Sequence, residues 1–443
     1  MQIWNPKWLY PGLEIKRWLL LLMAGVTITG VGITYLLRHF YVTQPYPVWF
    51  YYATFMFYPR PMRAIIFGLV GVLAIVVGLV QMNRSLLRPF VQPGQDLVEV
   101  LYRYHQKGRG PKIVAIGGGH GLSTLLRGLK EYTSNITAVV TVADDGGSSG
   151  RLRKELGLLP PGDFRNCIAA LSEAEDLTRR LFQYRFSEGM GLDGHSFGNL
   201  FIAAMAGVTG SFEDALLEAS YVLAVRGRVL PATLEEVALC AEVAEMEDGE
   251  IIGWRRVVGE SQIPKSGGRI LRVFLEPEVT RAYPEVLRAI LDADLILAGP
   301  GSLYTSVLPN LLVREVVDAL RVSGAPKVYI ANVATEPGET DGYTVGDHVR
   351  VLNEHLGERV FRTVLYNTNH RRPLPDRLSW VKPGPGDWDH MEMIGADLVD
   401  ENRPWRHDPY KLAAAVMDVL YGRRITPPRG EANHGLRDGL SVD

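Results

Sequence analysis

The chain has 443 residues, 47% of them hydrophobic, and a formal net charge of −2. That length gives room for two or three domains, or for one large α/β domain with an appendage, and the apolar content excludes wholesale disorder. The charge is uneven: Met1 to Lys112 carries 12 Lys and Arg against three acids, Glu14, Asp96 and Glu99, so the remainder is acidic, at −11. An acidic body lacks the broad basic face that a nucleic-acid polymer needs, which argues against that partner. Two cysteines, Cys167 and Cys240, with no CxxC or Cys/His cluster, suit a reducing compartment and suggest neither a zinc site nor a disulfide framework.

Residues 1–88 read as a two-helix membrane anchor. The uncharged runs "WLLLLMAGVTITGVGITYLL" (18–37) and "AIIFGLVGVLAIVVGLVQM" (64–82) are each about long enough to cross a bilayer core and are flanked by Lys and Arg. Between them "FYVTQPYPVWFYYATFMFYP" has the aromatic density of an interfacial belt. Two spans put both ends on one side. The basic residues after the second span place the body on the cytoplasmic face of the cell membrane, although Arg38, Arg60 and Arg63 blunt that signal. Residues 89–111 read as a juxtamembrane linker, and 424–443 as a polar, Gly/Pro-rich disordered tail.

From 112 to 423 apolar strands alternate with helical patterns, which predicts an α/β fold: a Rossmann-like, doubly wound, mainly parallel sheet. The strands expected are "KIVAIG" (112–117), "ITAVVTVA" (136–143), "DLILAG" (294–299), "KVYIANV" (327–333) and "RTVLYN" (362–367). A helical stretch is expected over 151–240, short strands over 250–276, and a closing helix in the segment 403–422.

Ligands of such sheets sit beyond the carboxyl ends of the strands, so the loops there carry the functional reading. After the first strand, Gly117-Gly118-Gly119-His120-Gly121 opens a helix, and glycines let backbone N–H groups approach a phosphate. The spacing is neither a GxGxxG fingerprint nor a P-loop. After the second strand, "ADDGGSSGR" supplies Asp144, Asp145, Ser148, Ser149 and Arg151, with either acid placed to grip a ribose hydroxyl or to hold Mg²⁺ against phosphates. "PPGDFRN" offers Asp163, Arg165 and Asn166, and "GHSFGNL" offers His195 and Asn199 at a helix start. "AGPGSLYTSVLPNLL" is a second Gly-rich loop, with Gly301 in the turn, Ser302 and Thr305 as hydroxyl donors, and Tyr304 as a ring that could stack on a base. Thr344 and Asp347, in "ATEPGETDGYTVGD", read as a helix cap. Two anion loops with paired acids point to a nucleotide diphosphate compound. No nucleophile elbow, kinase set or metal triad accompanies them.

Taken in order, "AIGGGHGLSTLLRGLK", "VADDGGSSGRLR", "PGDFRN", "HSFGNLFIAAM", "VLPAT", "GPGSLYTSVLPNLLV", "NVATEPGETDGYTVGDHV" and "RHDP" resemble the YvcK family, also called gluconeogenesis factors. That family is related to 2-phospho-L-lactate transferase (CofD). The resemblance implies a UDP-sugar ligand such as UDP-N-acetylglucosamine, and a role in cell-wall precursor supply, cell shape and growth on gluconeogenic carbon. It implies no firm enzymatic activity, though a regulated enzyme of amino-sugar or cell-wall metabolism becomes an expected partner and a homo-oligomer the expected state. The transferase branch would instead imply a guanosine diphosphate-linked donor, Mg²⁺ and a deazaflavin acceptor. By position, Gly118, Gly119, Gly121 and Ser302 would face phosphates and Asp144 a ribose or metal. Asn166, His195 and Asn199 would line the cleft, and Arg406 would close over the ligand's charge.

Overall fold

The computed structural model describes residues 110–422, apart from 174–175, 189–190, 248–249, 387 and 389–390, together with 48–53, 55–87 and isolated positions at 26–38 and 108. The chain divides into two units, Met1–Gln106 and Lys107–Asp443. In the first, the helix Arg60–Leu87 includes a stretch, Arg60–Val77, with a mean hydropathy of 1.9, long and apolar enough to cross a membrane. Ile65, Leu69, Val70 and Leu73 on it are largely exposed. The other expected span, 18–37, lies mostly outside the described residues, as do the linker and the tail from 424 onward. Among the described residues, one helix long and apolar enough to cross a membrane is present where two were expected, so the two-span hairpin is not supported.

The second unit is built on a seven-stranded sheet in the order β10-β9-β8-β7-β1-β2-β3, every neighbouring pair parallel. Its strands are β1 (Ile113–Gly117), β2 (Ile136–Val140), β3 (Arg228–Pro231), β7 (Leu295–Ala298), β8 (Lys327–Ile330), β9 (Thr363–Asn367) and β10 (Glu392–Ala396). The five expected strands are all present. A second, antiparallel sheet holds β4 (Ala238–Glu247), β5 (Glu250–Val258) and β6 (Arg269–Glu276) in the order β5-β4-β6. It begins inside the stretch expected to be helical, because β4 ("ALCAEVAEME") pairs with strands on both sides. A short hairpin, β11 (Val399–Asp400) and β12 (Arg403–His407), precedes the closing helix.

β1, β2 and β7 are apolar but for Thr137 and buried on both faces, as strands between two helical layers must be. Helix α1 (Gly119–Leu129) places Leu122, Leu125, Leu126 and Leu129 at helical spacing against them, each fully buried. Burial of that kind stabilises by about 1.5–3 kcal/mol per side chain. Helices α2 (Gly147–Leu156), α3 (Gly162–Leu171) and α4 (Phe197–Thr209) follow β2. Helix α5 (Val345–Leu356) starts at the expected cap: Thr344 and Asp347 bond each other's backbone N–H in a capping box. Helix α6 (Pro409–Tyr421) packs on α1 so closely that a Cβ on Gly128 would lie 1.9 Å from the Pro409 carbonyl oxygen.

The chain fills the sheet from β1 outward through β2 to β3, then returns to the other side of β1 for β7 to β10. The strand order reverses between β1 and β7. That reversal is where an open parallel sheet leaves a crevice.

Candidate functional site

The two Gly-rich loops predicted from the sequence follow β1 and β7, neighbours in register from Ile113↔Leu295 to Ile116↔Ala298, so the loops themselves meet. A Cβ on Gly121 would sit 2.4 Å from the Pro300 carbonyl oxygen, and one on Gly301 3.3 Å from that of Gly118. Only backbone fits at the first contact. Asn332, beyond β8, locks the second loop from both sides: its Nδ2 donates to the Gly301 carbonyl at 3.0 Å, and its Oδ1 accepts the Gly301 N–H at 3.1 Å. Asn310 donates from Nδ2 to the Gly117 carbonyl at 3.1 Å and ties the first loop to the same frame.

Between these loops lies a cleft of about 470 Å³. Gly118 to Gly121, Gly301 and Ser302 line it, with residues 332–337 and Trp405, Arg406 and His407 also on its walls. Gly119, at φ +63°, turns the chain into α1 through the left-handed region, which favours glycine. Its N–H goes to the Asp163 carboxylate. The N–H groups of His120 and Gly121, in the first turn of α1, have no intrahelical acceptor and mark the positive end of its dipole. That is an anion-binding arrangement. Burial lowers the His120 imidazole's pKa, and Arg406, Arg165 and Arg127 push it further the same way, so the ring is a neutral donor or acceptor.

Opposite in character is a group of crowded acids. Glu260 lines the cleft, and burial, then Asp144, Asp163, Glu339 and Asp145, push its carboxyl up to about 8. Burial and Asp144 raise Asp163 to about 6, while burial and Glu336 raise Glu339 to about 8. The loop carrying Glu260 is pinned where Asp145 Oδ1 accepts the Ser261 N–H at 2.9 Å. Gly259, at φ +106°, leaves room for that carboxylate. Among the described residues no three His, Cys, Asp or Glu side chains are placed to hold a metal by themselves. Mg²⁺, however, commonly takes one or two carboxylates and completes its shell with water and phosphate oxygens. Glu260, a carboxylate on the cleft wall in a surplus of negative charge, fits such a shared ion, which would neutralise ligand phosphates when bound.

The structure sorts the residues singled out in the sequence into three places. Gly118, Gly119, His120, Gly121, Gly301, Ser302 and Arg406 line the cleft. Arg165 and Asn166, with His120 and Arg406, line a second cavity beside it. The others line neither. Tyr304 is not a stacking ring: it is 1% exposed, and its hydroxyl lies 2.9 Å from that of Tyr343. Thr305 donates to Glu339 at 3.0 Å inside the core. Asp144, expected to grip a ribose or metal, accepts the Gly146 N–H at 2.9 Å and a bond from Ser149, so it shapes its own loop. Asp163 packs against Gly118, where a Cβ would meet its Oδ2 at 2.5 Å. Arg151 donates to the Asp193 carbonyl at 2.6 Å. His195 Nδ1 lies 2.9 Å from Ser148 Oγ, which also accepts from Asn199 Nδ2 at 3.0 Å. Ser148 and His195 have the spacing of a nucleophile and its base, but all three side chains are buried away from both cavities and fasten α2 to α4.

Glu260, Asn332, Glu336 and Trp405 were missed. Glu336 follows an expected strand, a position that marked it for notice, while Asn332 lay inside that expected strand, 327–333, which ends at Ile330. Trp405 stands in "RPWRHDP", which read as the approach to a helix, and Glu260 follows a strand of the sheet the sequence left vague.

Residues 113–400 match the family profile of 2-phospho-L-lactate transferase CofD. A gluconeogenesis factor of Bacillus subtilis is 49% identical over 325 residues, covering 71% of this chain and 99% of its own. This chain belongs to the gluconeogenesis factor family, which carries the CofD domain. A family relative from Nostoc sp. is 46% identical over 430 residues, covering 93% of this chain and 91% of its own, so that match runs well into residues 1–111. The crystal structure of a UPF0052 family protein from Bacillus halodurans superposes with a TM-score of 0.62 at 47% identity, over 70% of this chain and 99% of that one. These gluconeogenesis factor relatives thus include chains with and without an N-terminal counterpart.

Proposed function

We propose that this gluconeogenesis factor is a regulatory protein that binds a nucleotide sugar, UDP-N-acetylglucosamine or a close analogue, at the β1–β7 switch point. The observation that carries the reading is the meeting of two Gly-rich loops around free first-turn N–H groups, a cradle for a diphosphate. Trp405, 37% exposed on the cleft wall, is the ring available to a base. Arg406 would answer the ligand's charge. Neither cavity contains a paired nucleophile and base, since the Ser148–His195 pair is buried elsewhere, and this favours sensing over covalent chemistry.

In this reading residues 1–88 tether the body to the cytoplasmic face of a membrane, and the ligand's occupancy is passed to a protein of amino-sugar or cell-wall metabolism. Calorimetric titration of the full chain in detergent tests it. Micromolar binding of UDP-N-acetylglucosamine, with GDP and NAD far weaker, is expected. Preference for GDP, strictly dependent on Mg²⁺, would instead support the second reading, group transfer from a guanosine diphosphate-linked donor, which the CofD profile and the Glu260 carboxylate favour.

A further inference from the structure

The second cavity, of about 460 Å³, gathers Arg127, Arg165, Arg179, Arg185, Arg403 and Arg406 around one space. They come from separated parts of the chain: α1, α3, the helix Asp176–Gln183, the segment after it, and β12. Asp400 is the one carboxylate in that lining. Arg165 donates to the Ser196 hydroxyl at 2.6 Å and the Asn166 amide oxygen at 2.8 Å, and Arg185 to the Gly194 carbonyl at 2.5 Å. All three acceptors are neutral, and the nearby Asp163 and Asp144 are outweighed at Arg165 by burial and Arg185. The Nε atoms of Arg127 and Arg165 are buried without a hydrogen-bond partner. Burial lowers the pKa of Arg127, with Arg179 and Arg403 adding to the effect, and burial and then Arg185 lower that of Arg165.

Holding guanidinium groups this close costs free energy unless an anion neutralises them, and their planar forks suit phosphate bidentately. No Phe, Tyr or Trp lines the cavity, so it lacks the broad ring that Trp405 presents in the cleft. We propose that this pocket is a second binding site, for a small phosphorylated polyanion, separate from the nucleotide cleft. His120, Arg406 and His407 line both cavities, so each ligand changes the affinity for the other through these shared side chains. The cleft supplies glycine amides and two acidic side chains, Glu260 and Glu336; the pocket supplies arginines. Two chemistries of recognition adjoin.

Inorganic pyrophosphate is the probe, titrated calorimetrically into the full chain in detergent with and without saturating UDP-N-acetylglucosamine. One equivalent is expected to bind in both cases. Arg127→Gln with Arg403→Gln should weaken pyrophosphate by about tenfold or more and leave the nucleotide sugar within about threefold, because neither residue lines the cleft. Arg403→Gln alone, at an exposed position, repeats the test where loss of Arg127 disturbs folding. Stoichiometric displacement of pyrophosphate by the nucleotide sugar would show that one extended ligand fills both spaces and would overturn the proposal. Unchanged pyrophosphate affinity in both variants, or no binding to the wild type, would also overturn it. The pyrophosphate arm stands even if UDP-N-acetylglucosamine fails to bind, so the two readings fail separately.

Discussion

Replacing Glu260 by glutamine should stabilise the unliganded protein more at high pH than at low pH. The carboxyl is raised from its ordinary 4.5 to about 8, first by burial and then by Asp144, Asp163, Glu339 and Asp145. Between those values the folded chain holds a proton that the unfolded chain has released, so stability falls as pH rises and the penalty is complete above about 8. Each pH unit inside the window is worth about 1.4 kcal/mol, so the penalty grows by roughly 3 kcal/mol between pH 5.5 and pH 9. At the unfolding entropy expected for a domain of this size, that is about 5 °C in melting temperature. Thermal unfolding of wild type and Glu260→Gln in detergent, followed by intrinsic fluorescence at pH 5.5 and pH 9, measures it. The variant's advantage in melting temperature over wild type should be about 5 °C larger at the higher pH than at the lower. An equal advantage at the two pH values, or a smaller one at pH 9, would refute the view that Glu260 is a carboxylate held in uncompensated negative charge.

Gly121→Ala puts a methyl group 2.4 Å from the Pro300 carbonyl oxygen, so the two loops must part. A loss of about 1–3 kcal/mol in thermal melts, with ligand binding abolished in calorimetry, is expected. Trp405→Ala should weaken the nucleotide by about 1–3 kcal/mol, the stacking contribution per base, and remove the fluorescence quench on binding. Ser148→Ala breaks its bonds to His195 and Asn199 and should lower the melting temperature while leaving ligand affinity within about twofold. Asn332→Ala frees both backbone groups of Gly301 and should cost affinity and stability together, read by the same two assays.

Five of the sheet's seven strands were legible because they are largely apolar and followed by glycine or polar loops, as "KIVAIG" before Gly117–Gly121 shows, whereas the partly exposed edge strands β3 and β10 were not. The two phosphate-type loops were legible for the same reason: their glycines have a backbone use. Side-chain destinations were not. Tyr304 and Trp405 are both aromatic residues near a polar segment, and only the fold decides that the first is buried against Tyr343 and the second faces the cleft. Asp144 and Asp145 looked like ligand acids because a dinucleotide fold puts one there. Here they hold Gly146 and Ser261, and the acids that line the cleft, Glu260 and Glu336, are more than a hundred residues later. The arginine pocket was invisible for a related reason, since its members are scattered from 127 to 406 in a body whose net charge is acidic.

A ligand-bound structure of the full chain with UDP-N-acetylglucosamine tests the central claim most directly. The diphosphate should lie between the two loops, with phosphate oxygens at hydrogen-bond distance, about 2.7–3.2 Å, from the N–H groups of His120 and Gly121 and the base against Trp405. A nucleotide found instead among the arginines of the second cavity, with the glycine loops untouched, would contradict it.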